Sequence, residues 1–304
     1  MVGRRFLGSA GSVIEAIRFA PLEPDCKVVQ FDRPLAPAEL EKAAALMRGR
    51  PGVELYVYGN ASRDLDFLRY FEDVRRLNLH LYELEDISGL SHLKGRLEEL
   101  NFGNTRRNFS LRFLESLPSL TKLFLVGHKK DIGVVQSLHG LSSLGLSGIT
   151  LPDLTVVEPL AHLRDFQLFL GGTRNILGLR RLPQLENLFM MRITKMSDLS
   201  VLQELKSLKT LRLDWMRNVT SIPSFAALSQ LEKVELDTMK GLTDLSPIAA
   251  APALRRLSIS AMPQLDAESF RCFVGHPCLA ELYGYTGKKS TNDAIKRMFP
   301  GIAR

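Results

Sequence analysis

Apolar residues recur along this chain in one figure: an apolar position, a second three residues later, and a third two residues after that. It runs through Val74, Leu77, Leu79; Leu97, Leu100, Phe102; Leu120, Leu123, Leu125; Leu141, Leu144, Leu146; and Leu163, Phe166, Leu168. It continues through Leu185, Leu188, Met190; Leu208, Leu211, Leu213; Leu231, Val234, Leu236; and Leu254, Leu257, Ile259. The leading positions stand 21 to 23 residues apart throughout. Degraded copies flank the array at Leu55 and Val57 and at Leu279 and Leu282, as terminal units do when one face meets water instead of a neighbour.

Within each unit the last two apolar positions are two apart, the period of a strand with one buried face. The spacing then changes to three, as in Leu111, Leu114, Leu117, Leu120 and in Leu199, Leu202, Leu205, Leu208. Ile222, Phe225, Leu228, Leu231 and Leu245, Ile248, Ala251, Leu254 repeat it. Side chains three apart eclipse on a 3₁₀ helix, so this spacing predicts a short 3₁₀ back for each coil. Neither element buries its apolar face alone; stacked coils form one core and one parallel sheet. About ten strand steps of ~4.8 Å give a face on the order of 50 Å long.

The segments Met196-Ser197-Asp198-Leu199-Ser200-Val201-Leu202 and Leu242-Thr243-Asp244-Leu245-Ser246-Pro247-Ile248 resemble the short leucine-rich repeats of bacterial internalins and of eukaryotic phosphatase regulators. The resemblance covers roughly residues 50 to 285. It implies an α/β fold, a leucine-rich-repeat solenoid with a curved parallel β-sheet on the concave face and a 3₁₀ or loop convex face. Non-repeat caps are expected at both ends. It also implies protein binding, without naming a partner. One departure stands out: where such repeats commonly place Asn, this chain has Ile193, Met216, Met239 and Met262. A row of adaptable apolar side chains predicts a core ladder, with the turn's backbone polar groups served from elsewhere.

The expected organisation is an N-terminal cap over 1–50, an array of about eleven coils over 51–285, and a basic tail or short capping helix over 286–304. In the cap, Val28, Val29 and Phe31 read as a strand and Pro37 to Met47 as an amphipathic helix with proline in its first turn. Val13 to Phe19 fits either strand or helix.

Three variable positions per strand should face outward. Phe124, Val126, Phe169, Phe189 and Met191 fall there, with the single tryptophan, Trp215, just beyond Arg212 and Asp214. A contiguous apolar patch marks an interaction site, and aromatics and arginine are its usual anchors. These eight residues are the expected partner-binding set, unless flanking segments cover them. The neighbouring strip of Arg212, Asp214, Lys233, Glu235, Asp237 and Arg256 mixes both signs, which cross-strand ion pairs would largely satisfy.

Charge changes this picture little. The net charge of +7 permits nucleic acid, but the basic residues are interleaved with 33 carboxylates, so a nucleic-acid partner is disfavoured. The N-terminus begins like an export signal with Arg4 and Arg5, yet Glu15 and Arg18 interrupt its apolar region, and the three scattered cysteines form no disulfide framework. A cytoplasmic protein without a membrane span is expected.

Catalytic chemistry finds little support. Cys272, His276 and Cys278 have no fourth ligand nearby for zinc. Gly287-Lys288-Lys289-Ser290-Thr291 is not a phosphate loop, since position 282 is Leu where glycine is required. The expectation is a non-enzymatic module with no cofactor, no metal and no evident small-molecule substrate, binding a protein partner on its concave face. An immunity protein or enzyme inhibitor that neutralises its partner is the alternative, and nucleic-acid binding a weaker one.

Overall fold

The computed structural model describes residues 4–6, as backbone, and 22–303. Val13 to Phe19 lie outside them. The chain forms two compact units, Met1–Leu141 and Ser142–Arg304.

Each repeat figure becomes one strand. The first unit holds β1 (Arg4–Phe6), β2 (Val28–Phe31), β3 (Glu54–Tyr58), β4 (Arg76–His80), β5 (Glu99–Phe102) and β6 (Lys122–Val126), each parallel to the next. The second holds β7 (Ser143–Ser147), β8 (Asp165–Gly171), β9 (Asn187–Ile193), β10 (Thr210–Asp214), β11 (Lys233–Asp237), β12 (Arg256–Ser260) and β13 (Glu281–Tyr285), again all parallel. The unit length sets the register, so like positions stack: Leu188, Leu211, Val234, Leu257 and Leu282 form one inner row. All five are buried.

The backs of the coils are short 3₁₀ segments, for example Leu111–Ser116, Leu177–Arg181 and Ser200–Glu204, with a single α-helical turn at Ser246–Ala249. The three-spaced rows predicted from sequence are buried throughout, including Ile222, Phe225, Leu228 and Leu231, which run through turns without a regular helix. An aspartate opens several of these backs. Asp198 accepts the Ser200 N–H and Asp244 the Ser246 N–H, both at 2.8 Å, and Asp86 and Asp153 do the same. Each satisfies a donor that the first turn leaves free. Adjacent backs approach closely at Gly89, where a Cβ would stand 2.1 Å from the Leu65 carbonyl oxygen.

Ile193, Met216, Met239 and Met262 have no exposed surface, as a core ladder requires. Their turns are served by backbone and by a side chain from the next coil: Leu242 N–H donates to the Met239 carbonyl at 3.1 Å, and Gln264 Nε2 to the Met239 and Leu242 carbonyls at 2.8 Å each. In the first unit the same position holds His128, 2% exposed and stacked 4.3 Å from Phe102. Its Nε2 donates to the Gly103 carbonyl at 3.0 Å, and burial pushes its pKa below the ordinary 6.5.

Between β2 and β3 the chain returns through the helix Pro37–Met47, which buries Leu40, Ala43 and Met47. Glu39 accepts the Ala36 N–H at 2.9 Å and pairs with Arg33 at 2.6 Å, fixing the first turn. At the other end the helix Lys289–Met298 buries Ile295, and Leu282 N–H donates to the Ile302 carbonyl at 2.9 Å.

Candidate functional site

Strand alternation decides which side chains leave the core. On β6, Leu123 and Leu125 are buried while Phe124 and Val126 are half-exposed, on the outward face of the first unit. On β8 and β9 the same alternation turns Phe169, Phe189 and Met191 outward in the second unit, all half-exposed.

In that unit the register places Phe189 beside Arg212, and Met191 between Phe169 and Asp214. The Phe169 and Phe189 rings meet edge to face, centroids 4.6 Å apart and planes at 70°. The Arg212 guanidinium lies 4.4 Å from the Phe189 centroid. Its Nε and one terminal nitrogen reach the same Asp214 oxygen, at 3.0 and 2.8 Å. Stacking and ion pairing thus brace the Arg212 guanidinium over the Phe189 ring.

Asp214 is different from the other seven. It occupies an outward register position yet is 4% exposed. Burial raises its pKa against the pull of Arg212, while the hydrogen bond that Arg212 donates to Asp214 raises that of the arginine. Its carboxylate therefore positions Arg212 and offers little surface of its own. Trp215, 48% exposed, follows the strand with its ring 4.8 Å under the Arg192 guanidinium. Strand alternation would turn Arg192 and Leu170 inward, but both take φ 55° and stand exposed, Leu170 at 47% beside Phe169.

The mixed-charge strip is paired chiefly along its strands. Arg212 meets Asp214 and Lys233 meets Glu235 within one strand, each at 2.8 Å, whereas Arg256 crosses to Glu281 at 2.8 Å. In the first unit Glu99 bridges Arg76 and Lys122 at 3.4 and 3.0 Å.

His276 has both ring nitrogens engaged: Nε2 donates to the Ala251 carbonyl at 2.9 Å and Nδ1 accepts the Cys278 N–H at 3.3 Å. This imidazole ties the turn that leads to Cys278 to the preceding coil, while Cys272 lies in the 3₁₀ segment Glu268–Phe273. Among the described residues, no group of three or more His, Cys, Asp or Glu side chains is placed to hold a metal, and no helix is long and apolar enough to cross a membrane.

No protein-family profile and no curated protein matches the sequence. Solved structures do match its fold. An internalin of Listeria monocytogenes, InlF, aligns with a TM-score of 0.60 at 20% identity over 90% of this chain and 77% of its own. The functional domain of InlJ from the same organism aligns with a TM-score of 0.50 at 14% identity, over 84% of this chain and 60% of its own. The InlJ domain includes a cysteine ladder. The likeness is one of architecture: this chain has the fold of a leucine-rich-repeat solenoid.

Proposed function

We propose that this chain is a non-catalytic binding module that docks a protein partner on the outward sheet face of its second unit, centred on Phe169, Phe189 and Arg212. The observation that carries the reading is the edge-to-face phenylalanine pair with Arg212 braced over Phe189 by a buried carboxylate. Half-exposed aromatic rings and a preorganised arginine lose little side-chain entropy on binding, which makes them effective anchors. Met191 adds an adaptable apolar contact on the same face. Phe124 and Val126 supply outward apolar surface to the first unit's own face.

The test compares capture of partners from native lysate by the wild-type chain and by Phe169→Ser and Phe189→Ser variants, identified by mass spectrometry. Each ring lies outside the core, so circular dichroism and melting should be unchanged while a specific partner is lost. Retention of the same partner by both correctly folded variants would refute the assignment.

A further inference from the structure

At or just past the ends of β7 to β12 the backbone passes through the left-handed region, once per coil. Gly148 takes that conformation freely at φ +67°, but later coils place Leu170, Arg192, Trp215, Thr238 and Ala261 there, at φ between 51° and 56°. An L-residue in this region costs about 1–2 kcal/mol, and bulky or β-branched residues are outliers in it. Arginine, tryptophan and threonine kept at a position glycine would fill without strain point to a use for their side chains.

Two residues further along the same three coils stand Thr194, Arg217 and Lys240. Because β9, β10 and β11 are parallel and in register, both positions recur at one strand spacing, ~4.8 Å. Two rows of three result: Arg192, Trp215, Thr238, and Thr194, Arg217, Lys240. These six residues line a pocket of about 420 Å³, the size of a small-ligand site. The pattern is confined to these coils, since Gly172 precedes the second row and Pro263 follows it.

Three cations line the pocket and no carboxylate does. The acids that precede the turn are engaged elsewhere or at its margin: Asp214 holds Arg212, and Asp237 accepts the Thr238 hydroxyl at 2.6 Å. We propose that this pocket binds a phosphate monoester, with Arg192, Arg217 and Lys240 around the phosphate and the Trp215 indole against its organic group. A phosphate monoester carries about −1.5 to −2 charges at neutral pH with three acceptor oxygens, which suits three cations better than a single carboxylate does. Guanidinium groups match phosphate oxygens in pairs, and an indole face accommodates an aryl group. The ester is either a free small molecule or a phosphorylated side chain of another protein. The pocket's chemistry does not depend on whether the sheet face docks a protein.

Trp215 is the chain's only tryptophan, so intrinsic fluorescence reports on this pocket directly. The intact chain is titrated with phenyl phosphate, inorganic phosphate and a short phosphotyrosine peptide, with benzoate and sodium chloride at matched ionic strength as comparators. A saturable change with phenyl phosphate at a Kd of about 1 mM or tighter is expected. It should weaken roughly tenfold in Arg217→Ala and in Lys240→Ala, each removing one charge-assisted contact at an exposed position. Both variants are checked for native circular dichroism. Tighter binding of the peptide than of phenyl phosphate supports the proposal with a phosphorylated protein as the source, and equal binding supports it with a small ester. No saturable response, an equal response to benzoate or sodium chloride, or unchanged affinity in both folded variants overturns it.

Discussion

Replacing Met239 by alanine removes Cγ, Sδ and Cε from a side chain with no exposed surface. Counting each as a methylene at ~0.8 kcal/mol, the lost burial is about 2.4 kcal/mol. A cavity contribution adds to this, and its size depends on how far the surroundings relax. Met216 and Met262 occupy the equivalent positions one coil away, both fully buried. Flexible thioethers fill part of the void, which holds the cavity contribution to roughly 0.5–1 kcal/mol of the range such sites show. The expected total is about 3 kcal/mol, read as a shift in the urea midpoint at unchanged m value. The Met239 carbonyl keeps its bonds from Leu242 and Gln264 in the variant, so the loss reports on side-chain packing alone. Met239→Leu should cost less than about 1.5 kcal/mol. Removing Met216 as well should cost more than the sum of the single changes, by roughly 0.5 kcal/mol or more, because the relaxing neighbour is gone. A loss below about 1 kcal/mol for Met239→Ala, or leucine no better than alanine, would show that the ladder is not close-packed.

Other positions give sharper contrasts. Gly89→Ala drives a Cβ to 2.1 Å from the Leu65 carbonyl oxygen and should cost about 2–3 kcal/mol in thermal or urea unfolding; Gly52→Ala, with nothing within 4 Å of the added carbon, should be neutral. Equal effects of the two changes would rule out close approach of the coil backs as the reason for glycine at position 89. Desolvation lowers the folded-state pKa of His128 and of His80 below 6.5, so the unfolded chain binds more protons between that value and the folded one. Their contribution to stability is complete above pH 6.5 and is lost as pH falls through the folded pKa values. His128→Gln keeps a donor for the Gly103 carbonyl but does not titrate, and should flatten urea midpoints measured from pH 7 downward; substituting His80 as well should flatten them further, and an unaltered profile in the double variant would exclude both imidazoles. Asp86, Asp153 and Asp198 are held below 3.8 by the backbone N–H groups they accept, so their contribution is lost only in a separate, more acid window, as pH falls through those depressed values. The histidine variants should leave that lower transition in place.

The coil architecture was legible because it is a one-dimensional property. A strand's two-residue alternation and a 3₁₀ segment's three-residue row are both written in consecutive positions, so Leu188 and Met190 were assigned inward and Phe189 and Met191 outward without coordinates. The methionine ladder was legible for the same reason, since its members recur once per unit. The sequence also placed Phe169, Phe189 and Arg212 on one face. It did not show that Asp214, at an outward position, is buried to brace Arg212, or that most of the adjacent charges pair along their strands instead of across them. Nor did it reveal the pocket of Arg192, Arg217 and Lys240. Those residues are 25 and 23 apart in sequence and lie where the left-handed backbone breaks the strand alternation or beyond the strand, so no side-chain period applies. Backbone conformation and the register between coils decide what meets there: left-handed turns project Arg192 and Trp215 from neighbouring coils toward each other. Repetition determined the scaffold; inter-coil packing determined which variable residues became neighbours.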